Sequence, residues 1–134
     1  MTSAALALQA AIVAALLADD DLAALVGDRI HDAPPRDAAF PYVSLGLMRA
    51  TDWSTATEDG AEHEVTVHVW SRERGKRACH AIMAAIRGVL HDAPLTLDGH
   101  ALVNLRCVDG EVRREADGIT WRGALNFRAV TEPA

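Results

Sequence analysis

Gly75-Lys76 follows the strand-like run VTVHVW, Val65 to Trp70, and precedes a helical pattern, the position at which a phosphate-binding loop hands its ligand to a helix N-terminus. The full G-x-x-x-x-G-K-[ST] pattern is absent, because Trp70 stands five residues before Gly75 and Arg77 replaces the serine or threonine. The loop is also too short to wrap phosphates in successive backbone N–H groups. What remains is a basic, solvent-facing helix entrance built from Arg72, Arg74, Lys76 and Arg77. Positive charge at a helix N-terminus is mildly unfavourable, so this corner invites complementary charge from elsewhere.

Cys79 and His80 are adjacent, and a regular helix points neighbouring side chains into different surroundings. His80 and His91 stand eleven residues apart, about three turns, too far to share one metal. His31, His63, His68 and His100 match no zinc spacing. Ser44, Ser54 and Ser71 occupy no G-x-S-x-G elbow, and Cys107 falls in a strand pattern rather than at a reactive helix terminus. Asp59, Glu62 and Glu64 could bind a cation or serve in acid–base chemistry, but they lack a calcium-loop pattern and read as an exposed acidic segment. No catalytic residue, cofactor site or metal site is assigned.

The elements that position these residues belong to a single domain spanning all 134 residues. Half the residues are apolar and only 4% aromatic, so the core is built from alanine, valine, leucine and isoleucine. A formal charge of -6 disfavours a general nucleic-acid binder. Cys79 and Cys107 form no disulfide framework, and two buried thiols are expected. The apolar N-terminal run has no basic flank and ends early at Asp19, so a soluble chain without membrane span or targeting segment is expected.

Thr2 or Ser3 can cap a helix through about Leu17, with Leu6, Ile12, Val13, Leu16 and Leu17 on its buried side. Nearly free of charge, that helix should pack on more than one side or touch another subunit. Asp19-Asp20-Asp21 caps a short helix that Gly27 ends. Ile30-His31 starts a strand that Pro34-Pro35 cuts off. In YVSLGLM, from Tyr42, the core face is Val43, Leu45 and Leu47. Residues Arg49 to Glu62 hold one basic and four acidic side chains and read as a long hairpin loop or a strand extension.

Val65, Val67 and Val69 alternate with Thr66, His68 and Trp70 in the clearest half-buried strand, which presents Trp70 away from the core. Ser71 caps the main packing helix, with its stripe of Ala78, Cys79, Ile82, Ile86, Val89 and Leu90. Two long strands follow, about Ala101 to Arg113 and Ile119 to Val130, joined near Asp117-Gly118, with a bulge expected at Asp109-Gly110. Arg106, Arg113, Arg114, Arg122 and Arg128 alternate with Asp109, Glu111, Glu115 and Asp117, a mixture suited to a surface or intersubunit ion-pair network. The predicted fold is α+β: a four-stranded, mainly antiparallel sheet packed against helices in the order α-α-β-β-α-β-β.

The segments LVGDRIHDAPP, AAFPYVSLG, HVWSRERG and WRGALNFRAVTE, in this order, make nearly the whole chain resemble the tail-completion, or tail-terminator, proteins of siphophages and prophages, including those of phage-derived gene transfer agents. The resemblance implies a non-enzymatic subunit of a homo-hexameric ring on the head-proximal end of the tail tube. Its partners would be the tail tube protein and a head-tail connector protein, with DNA passing transiently through the lumen without specific binding. It would need no cofactor and no membrane.

On that reading the candidate tube or lumen loop comprises Asp52, Trp53, Glu58, Asp59 and Glu62, whose charge would repel passing DNA. The candidate subunit or connector interface comprises Trp70, Arg72, Arg74, Lys76, Arg77, Arg122, Asn126 and Arg128. The site of action would be the head–tail junction of the particle, reached after assembly in the bacterial cytoplasm. Two other readings are a head-completion or connector subunit and a small-molecule enzyme using Asp59 and Glu62.

Overall fold

The protein is described by a computed structural model for residues 2–52 and 59–134; Trp53 and Glu58 of the acidic segment lie outside the described residues. Ser3 Oγ accepts the Leu6 N–H at 3.1 Å and starts α1, Ala4–Ala18. Asp19 then acts twice. Its N–H bonds to the Leu16 carbonyl, and its carboxylate accepts the Leu22 N–H at 2.9 Å to cap α2, Asp20–Val26. Gly27, at φ 61, supplies the turn that ends α2.

The buried side of α1 is Ala7, Leu8, Ile12 and Leu16. This corrects the sequence reading, because Leu6 and Leu17 point outward at 55% and 47% exposure. A helix apolar all round gives the periodicity no contrast to choose by, and the i, i+4 row Leu8-Ile12-Leu16 wins the inner position.

Ile30–His31 forms β1, which pairs parallel with the start of β2, Tyr42–Asp52. Arg29 holds the crossover closed: its Nε donates to the Pro41 carbonyl at 2.8 Å and its carbonyl accepts the Val43 N–H at 2.9 Å. The chain continues through β3 (Ala61–Ser71), α3 (Arg77–Leu90), β4 (His100–Arg114) and β5 (Trp121–Pro133). Among the described residues the sheet therefore has five strands, in the order β1-β2-β3-β5-β4, rather than four. The prolines limit β1 to two residues but do not stop it pairing.

Helix α3 lays Cys79, Ile82, Met83, Ile86 and Leu90 on the sheet face that carries Val65, Val67 and Val69, and α1 and α2 pack against α3. The three valines are at most 1% exposed, as the alternation predicts. Ser71 does not cap α3. It ends β3 fully buried, and Lys76 precedes the helix with no side-chain cap.

Val43 and Leu45 are buried as expected, but a register shift between Leu45 and Met48 overturns the expected core face of β2 beyond them. The extra residue reverses the alternation, so Met48 packs against the core and Leu47 is 58% exposed. A second shift between Cys107 and Asp109 matches the bulge expected near Asp109-Gly110, and leaves Val108 62% exposed. Strand β5 begins two residues later than expected, which puts Ile119 in the exposed hairpin tip. Both cysteines are free; Cys79 is buried as expected, whereas Cys107 is half-buried.

Candidate assembly surface

Alternate residues of β2, β3 and β5 face away from the helices, and the described residues place no helix over them. This open face has two different ends. From Glu62 to Arg72 the chain advances ten residues, about 33 Å at strand rise.

At one end Trp70 is the centre of an aromatic and arginine cluster. It stacks on Tyr42 with ring centroids 6.1 Å apart, Phe40 meets Tyr42 edge-on at 5.0 Å, and His68 lies 5.8 Å from the indole. Two cations close the cluster: Arg72 sits 4.2 Å over the Phe40 ring and Arg122 sits 5.8 Å over Trp70. Trp70 Nε1 donates to Ser44 Oγ at 2.9 Å, Arg72 Nε donates to Thr120 Oγ1 at 3.2 Å, and Arg122 pairs with Glu115 at 3.0 Å. The Thr120 hydroxyl and the backbone N–H groups of Thr120 and Ile119 hold the Asp117 carboxyl below its ordinary pKa. Phe40, Tyr42, Trp70, Arg72, Glu115 and Asp117 line a groove of about 550 Å³ that also takes in Arg36 and Asp37.

At the other end, Arg128 pairs with Glu62 across β3 and β5. Asn126 accepts from the Thr66 hydroxyl at 2.8 Å and donates to Asp109 at 2.5 Å. Arg128 and Asn126 thus belong with the acidic end, apart from Trp70, Arg72 and Arg122. Asp52 ends β2 opposite Ala61, and Asp59 lies two residues before that strand partner.

Arg74, Lys76 and Arg77 project from the exposed corner between β3 and α3. Arg74 shares a concavity with the β4–β5 hairpin tip, where Arg114 lies 4.7 Å over the Trp121 ring. Sequence reasoning missed Phe40, Tyr42 and Ser44 as members of the Trp70 cluster. The period-two spacing of Tyr42 and Ser44 on β2, with Phe40 two residues before it, was readable, but the register that sets them beside Trp70 was not.

Of two perturbed histidines on β3, His68 lies on this open face, whereas His63 shares the opposite, buried face with Val65, Val67 and Val69. Burial, reinforced by the neighbouring His100, holds the His63 imidazole below its ordinary pKa, and its Nε2 lies 2.9 Å from Thr131 Oγ1. His68 is lowered by burial and then by Arg122, against the opposing effects of the Gly123 backbone and Glu115. Among the described residues no group of three or more histidine, cysteine or carboxylate side chains could hold a metal. No described helix is long and apolar enough to cross a membrane.

The family model of tail completion protein gp17 matches residues 10–132. The chain belongs to this family. The tail completion protein gp17 of Bacillus phage SPP1 is 28% identical over 122 residues, covering 91% of this chain and 90% of that protein. Among solved structures, a chain of the virion of a native gene transfer agent particle superposes with a TM-score of 0.90 and 38% identity, over 98% of this chain and 99% of the other. The structure of bacteriophage SPP1 gp17 protein gives a TM-score of 0.65 and 26% identity, over 92% and 87%. Tail completion proteins of phage and gene-transfer-agent particles are structural components and not enzymes, so the small-molecule reading of Asp59 and Glu62 falls away.

Proposed function

We propose that this tail completion protein is the tail terminator: six copies form a ring that caps the head-proximal end of the tail tube and offers the surface to which the head connector binds. The observation that carries the reading is the match over nearly the whole of both chains to a subunit of a native gene-transfer-agent virion. The open sheet face supports it, since an unpartnered face bordered by the long edge strand β4 gains neighbours in a closed ring.

The two ends of that face carry different chemistry, which suits a subunit that must contact different neighbours. Asp52, Asp59 and Glu62 form the end assigned to the tube or lumen, where negative charge keeps DNA moving. Trp70, Arg72, Arg122 and the Arg74–Arg77 corner form the end assigned to a neighbouring subunit or the connector. The mechanism is mechanical: the ring docks when the tube reaches its final length, stops further addition and leaves a central passage.

Removing the protein from the producing cell tests this directly. Electron micrographs should then show tails without heads, with uncapped or overgrown tubes, and resupply of the protein should restore joined particles. Normal joined particles in its absence would defeat the proposal.

A further inference from the structure

Among the described residues the sheet has a third register shift, between Leu102 and Asn104; the other two, at Leu45/Met48 and Cys107/Asp109, have one consequence in common. Each turns an extra apolar side chain outward, and Leu47 of β2 and Val108 of β4 wall the same groove of about 580 Å³, although two strands separate them. Thr66 and Asn126 lie between them, and the rim carries three carboxylates, Glu62, Glu64 and Asp109, against one guanidinium, Arg128.

The hairpin tip beside the β3–α3 corner has the reverse character. Ile119 stands 57% exposed, and the concavity beside it carries three guanidiniums, Arg72, Arg74 and Arg114, against one carboxylate, Glu73. Among the described residues no carboxylate pairs with Arg74, Lys76 or Arg77, and these cations crowd an uncapped helix N-terminus that disfavours them. The Asp117 carboxylate, which accepts the Ile119 N–H at 3.0 Å, is the other negative group at the tip, and the cations still outnumber the carboxylates there. An apolar knob with a net basic surround at one end therefore has a matching apolar groove with an acidic rim elsewhere on the same chain.

We propose that the groove between Leu47 and Val108 takes the Ile119 tip of a second copy of this chain, with Arg74 and Arg114 of that copy facing the Glu64 and Asp109 rim. The inference rests on the ring reading and names its subunit contact. Knob and groove are different surfaces, so the contact is heterologous: it runs head to tail and closes only as a ring. Apolar seating supplies the attraction, and the opposed charges fix the orientation.

Full-length protein with Cys107→Ser as background and carrying both Val108→Cys and Ile119→Cys, assembled into particles and oxidised, tests the contact. Within one chain, positions 108 and 114 alone are about 20 Å apart along β4. A disulfide needs Cα atoms within about 7 Å, so only neighbouring copies can be bridged. A covalent ladder rising to the complete ring is expected, absent from either single variant. No ladder, or covalent dimers alone, would overturn the contact.

Charge exchange at the same two exposed positions gives a second readout. Ile119→Asp should lower the yield of capped tails about tenfold or more by placing an unpaired charge in the groove, and adding Val108→Arg should recover most of it. A double variant as defective as Ile119→Asp would count against the pairing. Counting copies in the wild-type cap separates the two ideas: a ring without the ladder overturns this contact alone, whereas a cap that is no ring overturns the ring reading.

Discussion

The indole N–H of Trp70, on β3, donates to the Ser44 hydroxyl of β2 at 2.9 Å, fixing the central ring of the aromatic cluster to a nearly buried side chain. Ser44→Ala would leave a half-buried donor without its partner. The variant should lose about 1–3 kcal/mol of stability. In urea denaturation the midpoint should fall with an unchanged slope; a midpoint equal to wild type would show that the bond does not anchor the ring.

Gly46 lies so close to the His68 ring that a methyl group there would collide with it and approach the Thr66 carbonyl to 3.2 Å. Gly46→Ala should therefore cost about 1–3 kcal/mol, the usual range for overpacking. Much of that loss should disappear in the His68→Ala background. Additive effects in a double-mutant cycle would contradict the contact.

Acid should weaken the fold through its histidines. The folded-state pKa values of His63 and His68 are lowered from 6.5, chiefly by burial, so the unfolded chain binds more protons just below that value. Their contribution is fully present above about pH 6.5 and is lost as pH falls through the lowered folded values. The melting temperature should drop between pH 7.5 and 5, and His63→Gln should flatten the drop. An unchanged slope in that variant would remove His63 as a source.

Local signals read well where a side chain has a single competing environment. The valines of β3, the stripe of α3 and the Gly27 stop follow from periodicity and backbone chemistry. The face of β2 followed only as far as Leu45, because the bulge beyond it is set by pairing with β3 and Gly46 is its one local signal in YVSLGLM. The same limit hid the site. The aromatic cluster joins Phe40 and Tyr42 to Trp70 and Arg72 through sheet register, and Arg128 joins Glu62 rather than Arg122 for the same reason. Composition and motif order pointed to the family, while the partition of its charged residues between two ends needed the fold.

Asp19 links two helices through one residue: its backbone N–H closes α1 and its carboxylate caps α2. Asp19→Ala should cost about 1 kcal/mol, the typical value for losing an N-cap. Asp19→Asn, which keeps the acceptor, should restore most of it. If the two substitutions melt alike, the cap is not the origin of the loss.

The central claim is tested most directly by imaging native particles at the head–tail junction, with this protein identified by a bound fragment antibody or by fitted side-chain density. The account predicts a single six-membered ring of this chain between the last tube ring and the connector, surrounding an open passage. Density for this chain elsewhere on the particle, or a junction built without it, would contradict the account.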